Sequence, residues 1–207
     1  MEYLQSDVAR ALKSADIDAE TAQKKMVPRP RGTRSSGLAG QPREGAVLVI
    51  LYQLNSATHL VLTRRRDDLN SHAGQISFPG GRRENGESLI ATAVREAQEE
   101  LSVNPGNLNH LGRLACLYIP PSDYEVHPFV AWHDGRPLFI PQVGEVAEIL
   151  EVPLSHLLDP ATCREEVWEI RGFQVEVPYF LVGGHKVWGA TAMMLSEFID
   201  RLRTLNE

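Results

Sequence analysis

A chain of 207 residues with 43% hydrophobic content can bury a full core, and one domain with additions at its ends accounts for that length. No run approaches the roughly 18 apolar residues of a membrane span, and the first residues, with Glu2 and Asp7 among polar neighbours, lack a secretory signal's basic and apolar regions, so a cytoplasmic location away from membranes is expected. A net charge of −6 argues against nonspecific nucleic-acid binding and leaves metal ions or arginine clusters to attract an anionic ligand.

Residues 1–26 carry a helical pattern with Leu4, Val8, Ala11 and Leu12 on one side, and a second short helix starts near Asp18. This extension reads as a cap or as a homodimer contact. From 27 to 43 the composition shifts to Pro, Arg, Gly and Ser, the signature of an extended surface connector. Its arginines, Arg29, Arg31, Arg34 and Arg43, are expected to be solvated rather than to touch phosphates. We therefore divide the chain into an extension and connector at 1–43 and a principal domain at 44–207.

Residues 46–52 and 59–63 are apolar, β-branched runs separated by a polar turn, which predicts a hairpin. A short strand at 76–78 precedes Pro79-Gly80-Gly81, read as a sharp turn. An amphipathic helix follows over 88–101. Ile90, Ala93, Val94, Ala97 and Leu101 fall on one arc, and Glu96, Glu99 and Glu100 fall on another.

Further strands are expected at 111–119 and 126–132, broken by Pro120-Pro121-Ser122-Asp123. A polar loop over 141–148 leads to a strand at 149–152 and a short helix at 154–158. Residues 166–170 and 173–181 predict a second hairpin with Arg171-Gly172 at its turn. The last helix, 191–205, repeats apolar residues at Met194, Leu195, Phe198, Ile199 and Leu202. Strands outnumber helices in the middle and the helices are not regularly interleaved, so the fold class is α+β, a mixed β-sheet sandwiched between helices (α/β/α). Cys116 and Cys163 are too far apart for a CxxC pair and are expected to be reduced packing residues; the histidines lack a zinc-site spacing.

The acidic arc needs an explanation, because like charges at i,i+4, here Glu96 and Glu100, destabilise a helix by roughly 0.2–0.5 kcal/mol. A solvated acidic face is the ordinary reading of such a pattern. Hard divalent cations such as Mg²⁺ offer another, since they combine carboxylates with waters and substrate phosphates. The glycines can bring a bare backbone carbonyl to the same ion. Gly81 is the first choice for that carbonyl and Gly80 the second.

Gly81, five residues, Glu87, seven residues, then Arg95-Glu96-Ala97-Gln98-Glu99-Glu100-Leu101-Ser102-Val103 resembles the Nudix box of pyrophosphohydrolases, except at Ser102, where the family has glycine. Asn104 and Gly106 are candidates to supply the helix exit instead. The resemblance implies a small-molecule nucleotide substrate, a Mg²⁺ or Mn²⁺ cofactor, and metal ligation by Glu96, Glu99, Glu100 and the Gly81 carbonyl. It makes Glu87 and Arg95 supports for that cluster. The general base is either Glu96 or an acid from a facing loop, where Glu145 is preferred to Glu148.

Upstream, Val61-Leu62-Thr63-Arg64-Arg65, Leu69, His72, Gly74-Gln75-Ile76 and Phe78-Pro79-Gly80-Gly81 resemble the extra signature of the coenzyme A pyrophosphatase branch, as does Trp188-Gly189-Ala190-Thr191. Arg66 and Asn70 depart from it. That resemblance implies hydrolysis of coenzyme A or acyl-coenzyme A, with Arg64, Arg65, His72 and Gln75 as substrate-side residues. Strand alternation prevents Arg64, Arg65 and Arg66 from all facing one ligand. ADP-ribose or another nucleoside diphosphate derivative is the nearest alternative substrate, and a noncatalytic nucleotide sensor is the alternative of another class.

Overall fold

Strand β1 (Arg43–Leu54) runs through the middle of the molecule, and its apolar residues are nearly continuous because both of its faces are covered. Ala46, Leu48, Ile50 and Tyr52 enter one core, while Val49 and Leu51 enter the other. The computed structural model describes residues 2–14, 17–33, 40–69, 72–170 and 172–206. Arg34, Asn70 and Arg171 lie outside the described residues.

β1 forms a hairpin with β2 (Ala57–Arg65) through Asn55 and Ser56, whose φ values of 50° and 61° are those of the turn that matches strand twist. β7 (Tyr124–His133) lies parallel to β1, and β5 (Leu108–Arg113) and β6 (Leu117–Ile119) pair antiparallel with β7. On the other side β2 pairs with β3 (Ile76–Ser77) and β8 (Val146–Pro153). The first half of β1 pairs with β4 (Gly80–Arg82). This mixed sheet carries α3 (Leu89–Leu101) on one face. α1 (Gln5–Lys13), α2 (Ala19–Lys24) and α5 (Gly189–Arg203) lie on the other. α4 (Leu154–Leu158) follows β8, and β9 (Cys163–Ile170), β10 (Phe173–Val182) and β11 (His185–Trp188) form a separate three-stranded sheet. The α/β/α arrangement is the expected one.

Several elements differ from expectation. Glycines 80 and 81 form a strand, not a turn: a Cβ at Gly80 would stand 2.4 Å from the Ala46 carbonyl, so only glycine lets β4 lie this close to β1. The strand expected at 111–119 is two: Leu114 still donates to the Pro128 carbonyl of β7 at 2.9 Å, and the backbone then leaves the ladder at Ala115 and Cys116. There the Ala115 N–H donates to the carboxylate of Glu197 at 3.0 Å. Glu197 is fully buried on α5 and also accepts from Arg201 and Gln23, each at 2.9 Å. β11 was not expected; Gly183 and Gly184, both at positive φ, make the turn that returns it to β10.

α1 buries Val8 and Ala11 against the chain's own α5 and β5, so that face is not offered to a second copy. Leu4 points outward, 55% exposed, because it sits before the first helical turn. Arg29 is held by Glu165 and Glu176, and Arg31 donates to the Tyr118 carbonyl at 3.2 Å. Both cysteines lie at the surface, contrary to the packing role expected of them, because each sits at the start of a strand, Cys116 just before β6 and Cys163 first in β9.

Ser102 itself takes the left-handed conformation at the end of α3, φ 58°, with its N–H bonded to the Gln98 carbonyl at 2.9 Å. The exit is therefore not passed to Asn104, whose side chain accepts from the Gly106 N–H and caps the next turn. A Cβ in this region is unfavourable. Ser102→Gly is expected to raise the unfolding free energy by roughly 0.5–1 kcal/mol, read as a higher urea midpoint at unchanged slope. A lower midpoint would contradict the assignment.

Candidate active site

α3 brings its glutamates to β4 and to the end of β2. Ser88 caps the helix by accepting from the Ala91 N–H at 3.3 Å. Ala93, Ala97 and Leu101 then pack on the sheet. Glu100 turns with them rather than with the solvent-facing arc, and is 6% exposed. Glu96 is half-buried and Glu99 is exposed. The three carboxylates thus run from solvent into the core, not along a single outer face.

One guanidinium holds much of the cluster. Arg95 donates to both Glu87 oxygens at 2.9 and 3.3 Å, to Glu96 at 2.8 Å, to Glu99 at 3.1 Å and to the Arg82 carbonyl at 3.2 Å. Glu87 also accepts from Thr92 at 2.7 Å. Hydrogen bonds from Arg95, and then from Thr92, hold Glu87 well below the usual carboxylate range, at about 2. A planar fork with five donors can join these acceptors where a lysine cannot.

Glu100 stands in opposite circumstances. The Gly80 N–H and the Thr63 hydroxyl approach it only at 3.5 Å. Burial above all, with the charges of Glu96 and Glu145, pushes it up to about 7, against the Gly80 N–H and the weaker pull of Arg65. Glu96 is also raised, chiefly by burial.

The glycine pair shapes the space beside them. A Cβ at Gly81 would stand 2.5 Å from the Glu96 carboxylate. Leu48 donates to the Pro79 carbonyl and Arg83 to the Glu44 carbonyl, so the alternation of an antiparallel ladder makes Ala46 and Gly81 the bonded pair between them. Gly80 is then in a non-bonded pair, its polar groups directed off the edge of β4. Its N–H indeed points at Glu100. Of the two glycines, Gly80, the second choice from the sequence, is thus the one whose backbone groups turn away from β1 and toward the carboxylates. Three carboxylates and a carbonyl suit a hard divalent cation, and the missing Cβ at Gly81 keeps the cradle open.

Arg65 and Arg64 point to opposite faces. Val61 and Arg65 share the α3 face, and Arg65 meets Glu145 at 3.3 Å beside Glu100. Arg64 follows Leu60 and Leu62 toward the other face and is bonded to Asp67 at 2.6 Å. Arg66 is bonded to Asp68 and to the Val143 carbonyl. Arg64 is thus not brought to the carboxylates, because residues alternate along β2. Glu145 faces the site, whereas Glu148 pairs with His185 at 3.0 Å. His72 and Gln75 bond each other at 2.8 Å and brace their own loop.

A family model described as the NUDIX domain matches residues 42–170. The chain belongs to the Nudix family. It is 38% identical over 164 residues to a Pectobacterium atrosepticum protein named "Uncharacterized Nudix hydrolase NudL", covering 76% of this chain and 81% of that one. A Photorhabdus laumondii protein of the same name is 35% identical over 167 residues, covering 80% and 88%. Among solved structures, the Nudix hydrolase RenU from M. smegmatis is similar with a TM-score of 0.55 at 17% identity, covering 84% of this chain and 92% of that one. A MutT/nudix family protein from Enterococcus faecalis gives 0.56 at 13% identity, covering 99% and 76%. These likenesses show the Nudix fold, here with the Nudix box spread over β4, the turn through Glu87 and α3. Nudix hydrolases generally use divalent metal ions. Among the described residues no helix is long and apolar enough to cross a membrane.

The raised Glu100 fixes a sign. Its folded pKa of about 7 exceeds the ordinary value of 4.5, so between these the unfolded chain binds fewer protons and stability falls as pH rises. The full effect is on the order of 3 kcal/mol. Metal-free protein is expected to lose thermal stability from pH 5 to pH 8, and Glu100→Gln to flatten that slope. An unchanged slope in the variant would contradict the assignment.

Proposed function

We propose that this Nudix hydrolase cleaves the pyrophosphate of coenzyme A or an acyl derivative, in the cytoplasm and with Mg²⁺ or Mn²⁺. The products are 3′,5′-ADP and 4′-phosphopantetheine or its acyl form. The reading of the chemistry is carried by the Arg95 fork, which fixes Glu87, Glu96 and Glu99 beside β4. The reading of the substrate is supported by the signature over 61–81 and by Arg65.

Glu96, Glu99, Glu100 and the Gly80 carbonyl hold the cation in this reading. When bound, it neutralises phosphate charge and lowers the pKa of a coordinated water. Arg95 and Glu87 keep the ligands in register without touching substrate. Glu145, on the loop before β8, accepts the proton of the attacking water. That role needs an acid facing the glutamates, and its charge is felt by both Glu96 and Glu100.

Arg65 is the substrate-side arginine of choice. Its Nε is buried without a hydrogen-bond partner, and a buried donor left unpaired costs roughly 1–3 kcal/mol. A phosphate oxygen on the α3 face would supply the missing acceptor. Arg64 acts instead on the residues that follow β2, where it bonds Asp67, and His72 bonds Gln75. Residues 44–207 carry the catalysis, and α1 and α2 of the extension brace α5.

The test is chromatography of products after incubation with coenzyme A, acetyl-coenzyme A, ADP-ribose and NADH, each with Mg²⁺ or Mn²⁺. Metal-dependent 3′,5′-ADP from the coenzyme A compounds is expected, reduced by more than about a hundredfold in Glu100→Gln. Turnover of ADP-ribose or NADH alone would overturn the substrate and keep the catalytic site. Ligand binding without turnover would favour a sensor.

A further inference from the structure

Cys116, Glu125 and His127 form a second cluster of metal-binding side chains, separate from the carboxylates of α3. One ligand atom from each lies within 4.8 Å of the other two. β6 pairs with β7 so that Leu117 faces Val126, and one step further along that ladder Cys116 stands opposite His127. Glu125 precedes His127 by two residues and so projects from the same face of β7. Three different donors, a sulfur, a nitrogen and an oxygen, are thereby brought together by one turn and one strand alternation.

The spacing of the cysteine and the histidine is that of a tetrahedral site. With Zn–S about 2.3 Å and Zn–N about 2.0 Å, adjacent ligand atoms stand roughly 3.6 Å apart. Cys116 Sγ and His127 Nε2 are 3.7 Å apart. A thiolate, a carboxylate and a neutral imidazole carry two negative charges, which a divalent cation cancels. Glu44, opposite Glu125 on β1, is already bonded to Arg83 at 2.6 Å, which leaves the fourth position to water or an exogenous ligand. Cys116 is exposed and the other two are half-buried, so an ion can enter.

We infer that Cys116, Glu125 and His127 bind a Zn²⁺-class cation, which ties the start of β6 to β7 and keeps one open coordination position. The site is distinct in kind from the one on α3. Thiolate and imidazole select a borderline metal, while carboxylates and a carbonyl select Mg²⁺ or Mn²⁺.

Cobalt tests this directly, because Co²⁺ follows zinc geometry and a cobalt–thiolate bond gives a near-ultraviolet charge-transfer band. Chelator-stripped protein is titrated with Co²⁺ and then with Zn²⁺. One equivalent is expected to raise the band and Zn²⁺ to abolish it. Cys116→Ser should lose it, His127→Gln should weaken cobalt binding at least tenfold, and Cys163→Ser and Glu100→Gln should keep it, all with wild-type circular dichroism. No thiolate band in the wild-type protein, or a band that survives Cys116→Ser, would overturn the proposal. Neither result bears on the pyrophosphohydrolase reading, since the glutamates of α3 give no thiolate band.

Discussion

The guanidinium of Arg95 bonds three glutamates and a backbone carbonyl at once, and the site's geometry follows from that. Helix α3 carries Glu96, Glu99 and Glu100 within two turns, an arrangement that mutual repulsion disfavours. Arg95 offsets part of this by lying between Glu96 and Glu99. Glu87, fixed by Arg95 and Thr92, supplies the opposite charge that keeps the guanidinium in place. Glu100 lies beyond the fork's reach, and its burial leaves one carboxylate poised for a positive partner that the protein does not itself provide at close range.

The same region explains why glycine stands where it does. β4 approaches the β1 backbone too closely for a Cβ at position 80, and a Cβ at position 81 would displace the Glu96 carboxylate. Gly80 thereby turns its N–H toward Glu100, and Gly81 joins the ladder. Helix, strand and glycine pair form one unit, held to the sheet by Ala93, Ala97 and Leu101.

Much of this was legible in the sequence where the contacts are local. The fork on Glu96 and Glu99 spans one and four residues of a single helix, and the Asn55-Ser56 hairpin, α5 and the Nudix box itself declare themselves by spacing. The inward turn of Glu100 was less visible, since a helical wheel gives an arc but not the strand that lies across it. β4 was hidden because two glycines carry no strand signal. Glu197 gave no sign at all, for its partners Gln23 and Ala115 come from distant parts of the chain. Cys116 and His127 likewise lack any motif spacing, and only the β6–β7 register makes them neighbours.

The central claim is that Arg95 sets the metal-binding geometry through its fork and not merely through its charge. Mn²⁺ titration followed by electron paramagnetic resonance, comparing the wild-type protein with Arg95→Lys, separates the two. Lysine keeps the charge and loses the planar multiple bonding, so Mn²⁺ affinity should fall by roughly 10–100-fold while circular dichroism is retained. Equal affinity in the two proteins would contradict the account.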